Sequence, residues 1–91
     1  MRIGWTHAAA EDLEHINDYL TEHHPHFAQS TVVEIYETIR LLKASPYRGR
    51  LGREAGTREL VFTRLPYIVA YRVKEQSIEI LHVFHGAQNR T

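Results

Sequence analysis

The chain contains no cysteine. Disulfides and thiolate metal centres are thereby excluded, and a reducing cytoplasm is the expected compartment. No apolar run approaches the roughly 20 residues that span a bilayer. The opening Met1-Arg2-Ile3-Gly4-Trp5 has no signal-peptide core. No glycine-rich phosphate loop precedes a helix, and neither a nucleophile elbow nor an H-E-x-x-H motif occurs. These absences remove the common nucleotide-binding, hydrolase and metalloprotease readings. There is no net charge either: eleven Lys and Arg balance eleven Asp and Glu.

What remains is a chain of 91 residues with 43% hydrophobic content. That length predicts one domain over 1–91, burying about 60–65% of its unfolded surface. The apolar content is enough for one core and too high for intrinsic disorder. The charges are unevenly placed. Residues 1–39 hold one basic residue and seven acidic ones, a net of −6, whereas 40–91 hold ten basic and four acidic, a net of +6. The asymmetry either complements itself inside the fold or offers a basic surface to an anionic partner.

The first 44 residues read as a short strand and two helices. Residues 2–6 form the strand, and Thr6 is placed to cap the first helix. Ala9, Leu13, Ile16 and Leu20 are spaced 4, 3, 4, one stripe of an amphipathic helix. Glu11, Asp12 and Glu14 are expected near its positive end. Pro25 disfavours helical backbone at His24, so the helix should stop near His23. Ala28, Val32, Ile35, Ile39 and Leu42 repeat the stripe in a second helix from about His26 to Ala44, stopped by Ser45-Pro46. The short connection makes an antiparallel helical hairpin.

The C-terminal half reads as a loop and three strands. The loop, 45–56, holds three glycines with Arg48, Arg50 and Arg53. Strands are predicted over 57–63, 67–73 and 78–84, with turns at Leu65-Pro66 and Lys74–Ser77. Period-two alternation puts Tyr67, Val69, Tyr71 and Val73 on one face. It also groups Ile78, Ile80, His82 and Phe84 against Glu79, Leu81, Val83 and His85. The predicted class is α+β, in the order β-α-α-β-β-β, with the hairpin packed on one face of a mainly antiparallel curved sheet.

Four constellations could carry chemistry. Arg58, Arg64 and Arg72 on the strands, with Arg48, Arg50 and Arg53 in the loop, would suit a phosphate backbone if they shared one open face. The plainer reading is charged strand edges and a pairing with Glu59. His82 and His85, three apart on a strand, face opposite ways and cannot share a metal. His85 alone could serve as general acid or base. His23, His24 and His26 lack the spacing of a zinc site and are split by Pro25. Among the aromatics, Trp5, Tyr36 and Phe84 are expected in the core, with Tyr47 and Tyr67 at the surface, where bases could stack.

The order of elements, the opening T-H-A-A-A-E-D-L-E-H-I-N-D-Y-L, the runs G-T-R-E-L and L-P-Y-I-V-A-Y-R-V, and the ending I-L-H-V-F-H-G-A-Q-N-R resemble the RelE/ParE superfamily of bacterial toxins. The resemblance covers nearly the whole chain. It implies a small cytoplasmic toxin of a type II toxin–antitoxin pair, neutralised by a cognate antitoxin, with no small-molecule cofactor and no membrane partner. RelE-like members cut messenger RNA on the ribosome, and ParE-like members poison DNA gyrase by binding. The ribonucleases tend to carry an arginine where Tyr67 stands here. They also place basic residues on the second strand, where this chain has Arg58 and then Glu59. Some end in a His-Tyr pair or a late tyrosine, whereas His85 is followed by Gly86 and no tyrosine follows Tyr71.

The sequence thus stands nearer to ParE. The expected function is a gyrase poison without catalysis, with Arg48, Arg50, Arg53, Tyr67 and Arg90 as contact residues for target or nucleic acid. The alternative is a ribosome-dependent endoribonuclease. There His85 would move the proton, and Arg58, Arg64 or Arg72 would stabilise the phosphate charge. A third reading is a relic that only binds its antitoxin. The antitoxin is expected on the open face or edges of the sheet, and the basic 40–72 region would attract an acidic tail.

Overall fold

The computed structural model describes residues 1–87. Strand β1 (Arg2–Trp5) leads into helices α1 (His7–His23) and α2 (Pro25–Arg40), and a 3-10 turn, Leu41–Lys43, extends α2. Strands β2 (Arg50–Leu51), β3 (Arg58–Val61), β4 (Tyr67–Val73) and β5 (Ser77–His85) complete the fold. They form, with β1, one five-stranded sheet in the order β1-β5-β4-β3-β2. β1 runs parallel to β5, and the other neighbours are antiparallel. The predicted α+β class holds. The order gains one strand, β2, inside the predicted loop, because two residues of that loop pair with β3.

Thr6 explains how the helical hairpin is joined to the sheet. Its hydroxyl accepts from the Ala9 N–H at 3.1 Å, capping α1, and donates to the Ile80 carbonyl at 2.8 Å. One short side chain therefore sets both the start of α1 and its attachment to β5. Pro25 occupies the first turn of α2, where its missing N–H costs nothing. The helix stops at Arg40 and tightens into the 3-10 turn, four residues short of the predicted end.

The core lies between the hairpin and one face of the sheet. Ala9, Ile35, Ile39 and Leu42 pack from the helical side against Leu60, Val69, Tyr71, Ile78 and Ile80. The expected alternation fails on β5. Tyr71 pairs with Ile80 and Ala70 with His82, so Leu81 is an extra residue, a bulge. Beyond it the faces exchange. Val83 turns into the core at 3% exposure, and His82 turns out to solvent. His82 was expected beside Ile78 and Ile80, and the bulge is the reason it is not there.

Asp12 holds this bulge. Its carboxylate accepts from the Val83 N–H at 2.9 Å and lies 3.2 Å from His82 Nδ1. Because α1 begins at His7, no acidic residue falls in its first turn. The helix-dipole role expected for Glu11, Asp12 and Glu14 is not realised, since that effect fades beyond the first turn. Asp12 serves the sheet instead.

Candidate functional site

The most constrained surface feature is the segment Pro46–Gly49. The Tyr71 side chain is fully buried, and its hydroxyl accepts from Gly49 N–H at 2.8 Å and donates to the Pro46 carbonyl at 2.7 Å. Arg58, the first residue of β3, donates to the Tyr47 carbonyl at 3.2 Å and the Gly49 carbonyl at 2.8 Å. Its guanidinium carbon also sits 5.0 Å from the centre of the Tyr47 ring. Gly49 is required by space. A Cβ there would lie 2.8 Å from the Glu59 carbonyl oxygen and from the Tyr71 ring. The result is a fixed loop that presents Tyr47, at 64% exposure, and Arg48 to solvent.

Arg50 and Glu59 flank this loop. The Glu59 carboxylate, 9% exposed, receives Arg50 Nη2 at 2.8 Å and Nε at 3.1 Å. Arg50 thus neutralises a buried acid and is not available to a ligand in the way expected of a contact residue. Arg53 lies in the exposed β2–β3 connection, whose turn is closed by Gly56 at φ +80°. Arg90 lies outside the described residues.

The candidate catalytic residues do not converge. Arg58 is committed to carbonyls of the loop. Arg64 pairs with Glu34 of α2 at 3.0 Å. Arg72 faces the open side of the sheet, 3.6 Å from Glu79, which also has Lys74 at 3.6 Å. His85 ends β5 opposite Tyr67, with the two rings edge to face at 5.6 Å and Nδ1 accepting from Ala87 N–H at 3.0 Å. The Tyr67–His85 row and the Arg58–Tyr71 row are four positions apart on β4, about 13 Å along the strands. Between them runs the buried row Leu60–Val69–Val83. A shared open face carrying all the arginines, the condition for a phosphate site on the strands, is therefore not what the fold builds.

Three aromatic expectations, for Tyr67, Tyr36 and Phe84, are corrected. Tyr67 is buried, at 7% exposure, because the face it shares with Val69 is the helical one. Its phenol pKa is pushed above the ordinary 10.0, first by burial and then by the neighbouring Tyr19 phenol. Tyr36, expected in the core, is 48% exposed and stacks on Trp5 with ring centres 6.1 Å apart. Phe84 is half-buried on the open face, in register with Ile68 and Val61. Tyr47 is at the surface as expected.

A second exposed feature lies on the outer side of the hairpin. A groove between α1 and α2 is lined by Trp5, Leu13, Ala28, Val32, Val33 and Tyr36, with Glu11 and Glu14 also on it. Leu13, Ala28 and Val32 belong to the apolar stripes, whereas Trp5, Val33 and Tyr36 lie outside them, so the stripes alone reveal only half of its apolar lining. Among the described residues no three His, Asp or Glu side chains are grouped to hold a metal ion. No helix among them is long and apolar enough to cross a membrane.

The fold is a helical hairpin on one face of an open, mostly antiparallel sheet, with a groove on its outer side and a pinned loop beside β2. The chain matches the model of the ParE toxin of the type II toxin–antitoxin system parDE over residues 3–90. It is 39% identical to the Sinorhizobium fredii protein Y4kP over 87 residues, covering 96% of this chain and 90% of that one. It is 33% identical to toxin RelE2 of Caulobacter vibrioides over 87 residues, covering 96% and 97%. Among solved structures, a chain of the chromosomal ParDE toxin–antitoxin system of P. aeruginosa superposes with a TM-score of 0.85 at 33% identity, covering 93% and 95%. The chain belongs to the ParE toxin family of type II toxin–antitoxin systems.

Proposed function

We propose that this toxin arrests growth by binding and poisoning DNA gyrase, without catalysis of its own. The observation that carries the reading is the separation of His85 from Arg58 and Arg72. A general acid or base must lie within hydrogen-bond reach of the group it serves. The row distance of about 13 Å, with a buried apolar row between, supports separate roles for His85 and Arg58 over joint action on one phosphodiester. The ParE family match supports the same side of the superfamily. Pulse labelling after inducing the toxin alone tests the reading. Thymidine incorporation should fall while methionine incorporation continues. An early fall in methionine incorporation would sink it in favour of the endoribonuclease.

The cognate antitoxin implied by the family docks, in this reading, on the outer groove of the hairpin rather than on the open sheet face. The groove is exposed, apolar and flanked by Glu11 and Glu14, which suits an amphipathic helix with basic residues along its edges. Val33→Asp should then weaken the complex at least tenfold in a calorimetric titration, and an unchanged affinity would move the docking site elsewhere. The complex should also weaken as salt rises.

A further inference from the structure

The loop Pro46–Gly49 is held by Tyr71 and Arg58, and its exposed end is basic and aromatic. Residues 40–59 hold six basic side chains and two acids, Glu54 and Glu59. Arg40 is paired with Glu37 at 3.0 Å and Arg50 with Glu59 at 2.8 Å. Lys43 and Arg48 are exposed, and Tyr47 lies between them in sequence with most of its surface in solvent. Arg58 supports the Tyr47 ring and fixes the backbone on either side of Arg48. Pre-organisation of this kind lowers the ordering cost of binding.

We propose that Tyr47, Arg48 and Lys43 form a contact site for the sugar–phosphate backbone of duplex DNA. Arg48 can meet a phosphate bidentately, Lys43 supplies a second positive charge, and the supported Tyr47 ring offers a flat surface to a sugar. An acidic peptide would use the two cations but has no need of a supported ring, which is why nucleic acid is the better occupant. The site deepens the gyrase reading and rests on it in one respect, since the substrate of gyrase is duplex DNA. It does not depend on that reading for its test, because bare DNA is the probe.

The test is fluorescence anisotropy of a labelled duplex of about 25 base pairs with the purified toxin, from about 25 to about 200 mM salt. Two to three phosphate contacts predict a log–log salt slope of about −2 to −3. Arg48→Glu should weaken binding at least tenfold, and Tyr47→Ala about fivefold or more. Arg2→Glu, on the opposite edge of the sheet about 19 Å of strand spacing away, should leave it unchanged. Circular dichroism verifies that each variant is folded. No measurable binding at the lowest salt overturns the proposal, as does an equal loss in Arg2→Glu. Displacement of the duplex by a Glu-rich peptide at a lower concentration than unlabelled DNA also overturns it, assigning the loop to an acidic protein segment. Gyrase cleavage is read in parallel. Duplex binding without trapped cleavage would reject the gyrase reading and keep the DNA site, and trapped cleavage without duplex binding would reject the DNA site alone.

Discussion

The hydroxyl of Tyr71 accepts a 2.8 Å hydrogen bond from the backbone N–H of Gly49, 22 residues earlier in the chain. The same oxygen donates to Pro46 O at 2.7 Å. A fully buried side chain of the central strand β4 thereby sets the shape of a surface loop two strands away. Tyr71→Phe keeps the ring and removes both bonds, leaving Gly49 N–H without its partner. The expected loss is about 2 kcal/mol in urea unfolding. A change below about 0.5 kcal/mol would mean that the loop does not depend on this hydroxyl.

The bulge at Leu81 gives a second prediction. Asp12→Ala leaves the Val83 N–H unpaired and frees the bulge, at an expected cost of about 1–2 kcal/mol. Asp12→Asn keeps an oxygen acceptor and should recover most of it. Equal losses in the two variants would show that the negative charge, rather than the accepted hydrogen bond, is what matters.

Tyr67 gives a prediction in pH. Its phenol is more basic in the folded chain than in the unfolded one, because burial and the Tyr19 phenol disfavour the phenolate. The folded state therefore holds this proton more tightly. The contribution to stability is complete below the unfolded value near 10 and is lost as pH rises through the folded value. As pH rises above about 10 the stability of the wild type should fall more steeply than that of Tyr67→Phe. Parallel curves would remove the linkage.

His85→Ala and Arg72→Ala should each remain toxic when expressed without antitoxin, within about threefold of the wild type in the inducer dose that halves growth. Neither residue shares a site with the pinned loop. A loss of toxicity in both, with folding retained, would revive the endoribonuclease.

Much of the architecture is legible in the residues. The 4, 3, 4 stripes of α1 and α2, the Thr6 cap and the break at Pro25 are local signals, and local signals survive in the fold. The features that are not legible come from tertiary pairing. The bulge at Leu81 is marked in sequence only by the adjacent apolar pair Ile80-Leu81, yet it exchanges the faces of His82 and Val83. β2 is two residues long and exists only because β3 lies beside it. Tyr67 reads as a surface ring, and its face is decided by which side the hairpin covers. The arginines are visible as a set, but their partners are not, except for the Glu59 pairing. Arg58 and Arg50 are separated in role by contacts with residues about ten positions away. The function of Tyr71 has no sequence signal beyond the Pro-Tyr-Arg-Gly turn that it holds.

Action by binding, without catalysis, is tested most directly by gyrase-mediated cleavage of supercoiled plasmid with increasing amounts of purified toxin. Cleaved plasmid should accumulate with dose, equally for wild type and His85→Ala, and the antitoxin should prevent it. Plasmid that stays intact at every dose would contradict gyrase poisoning.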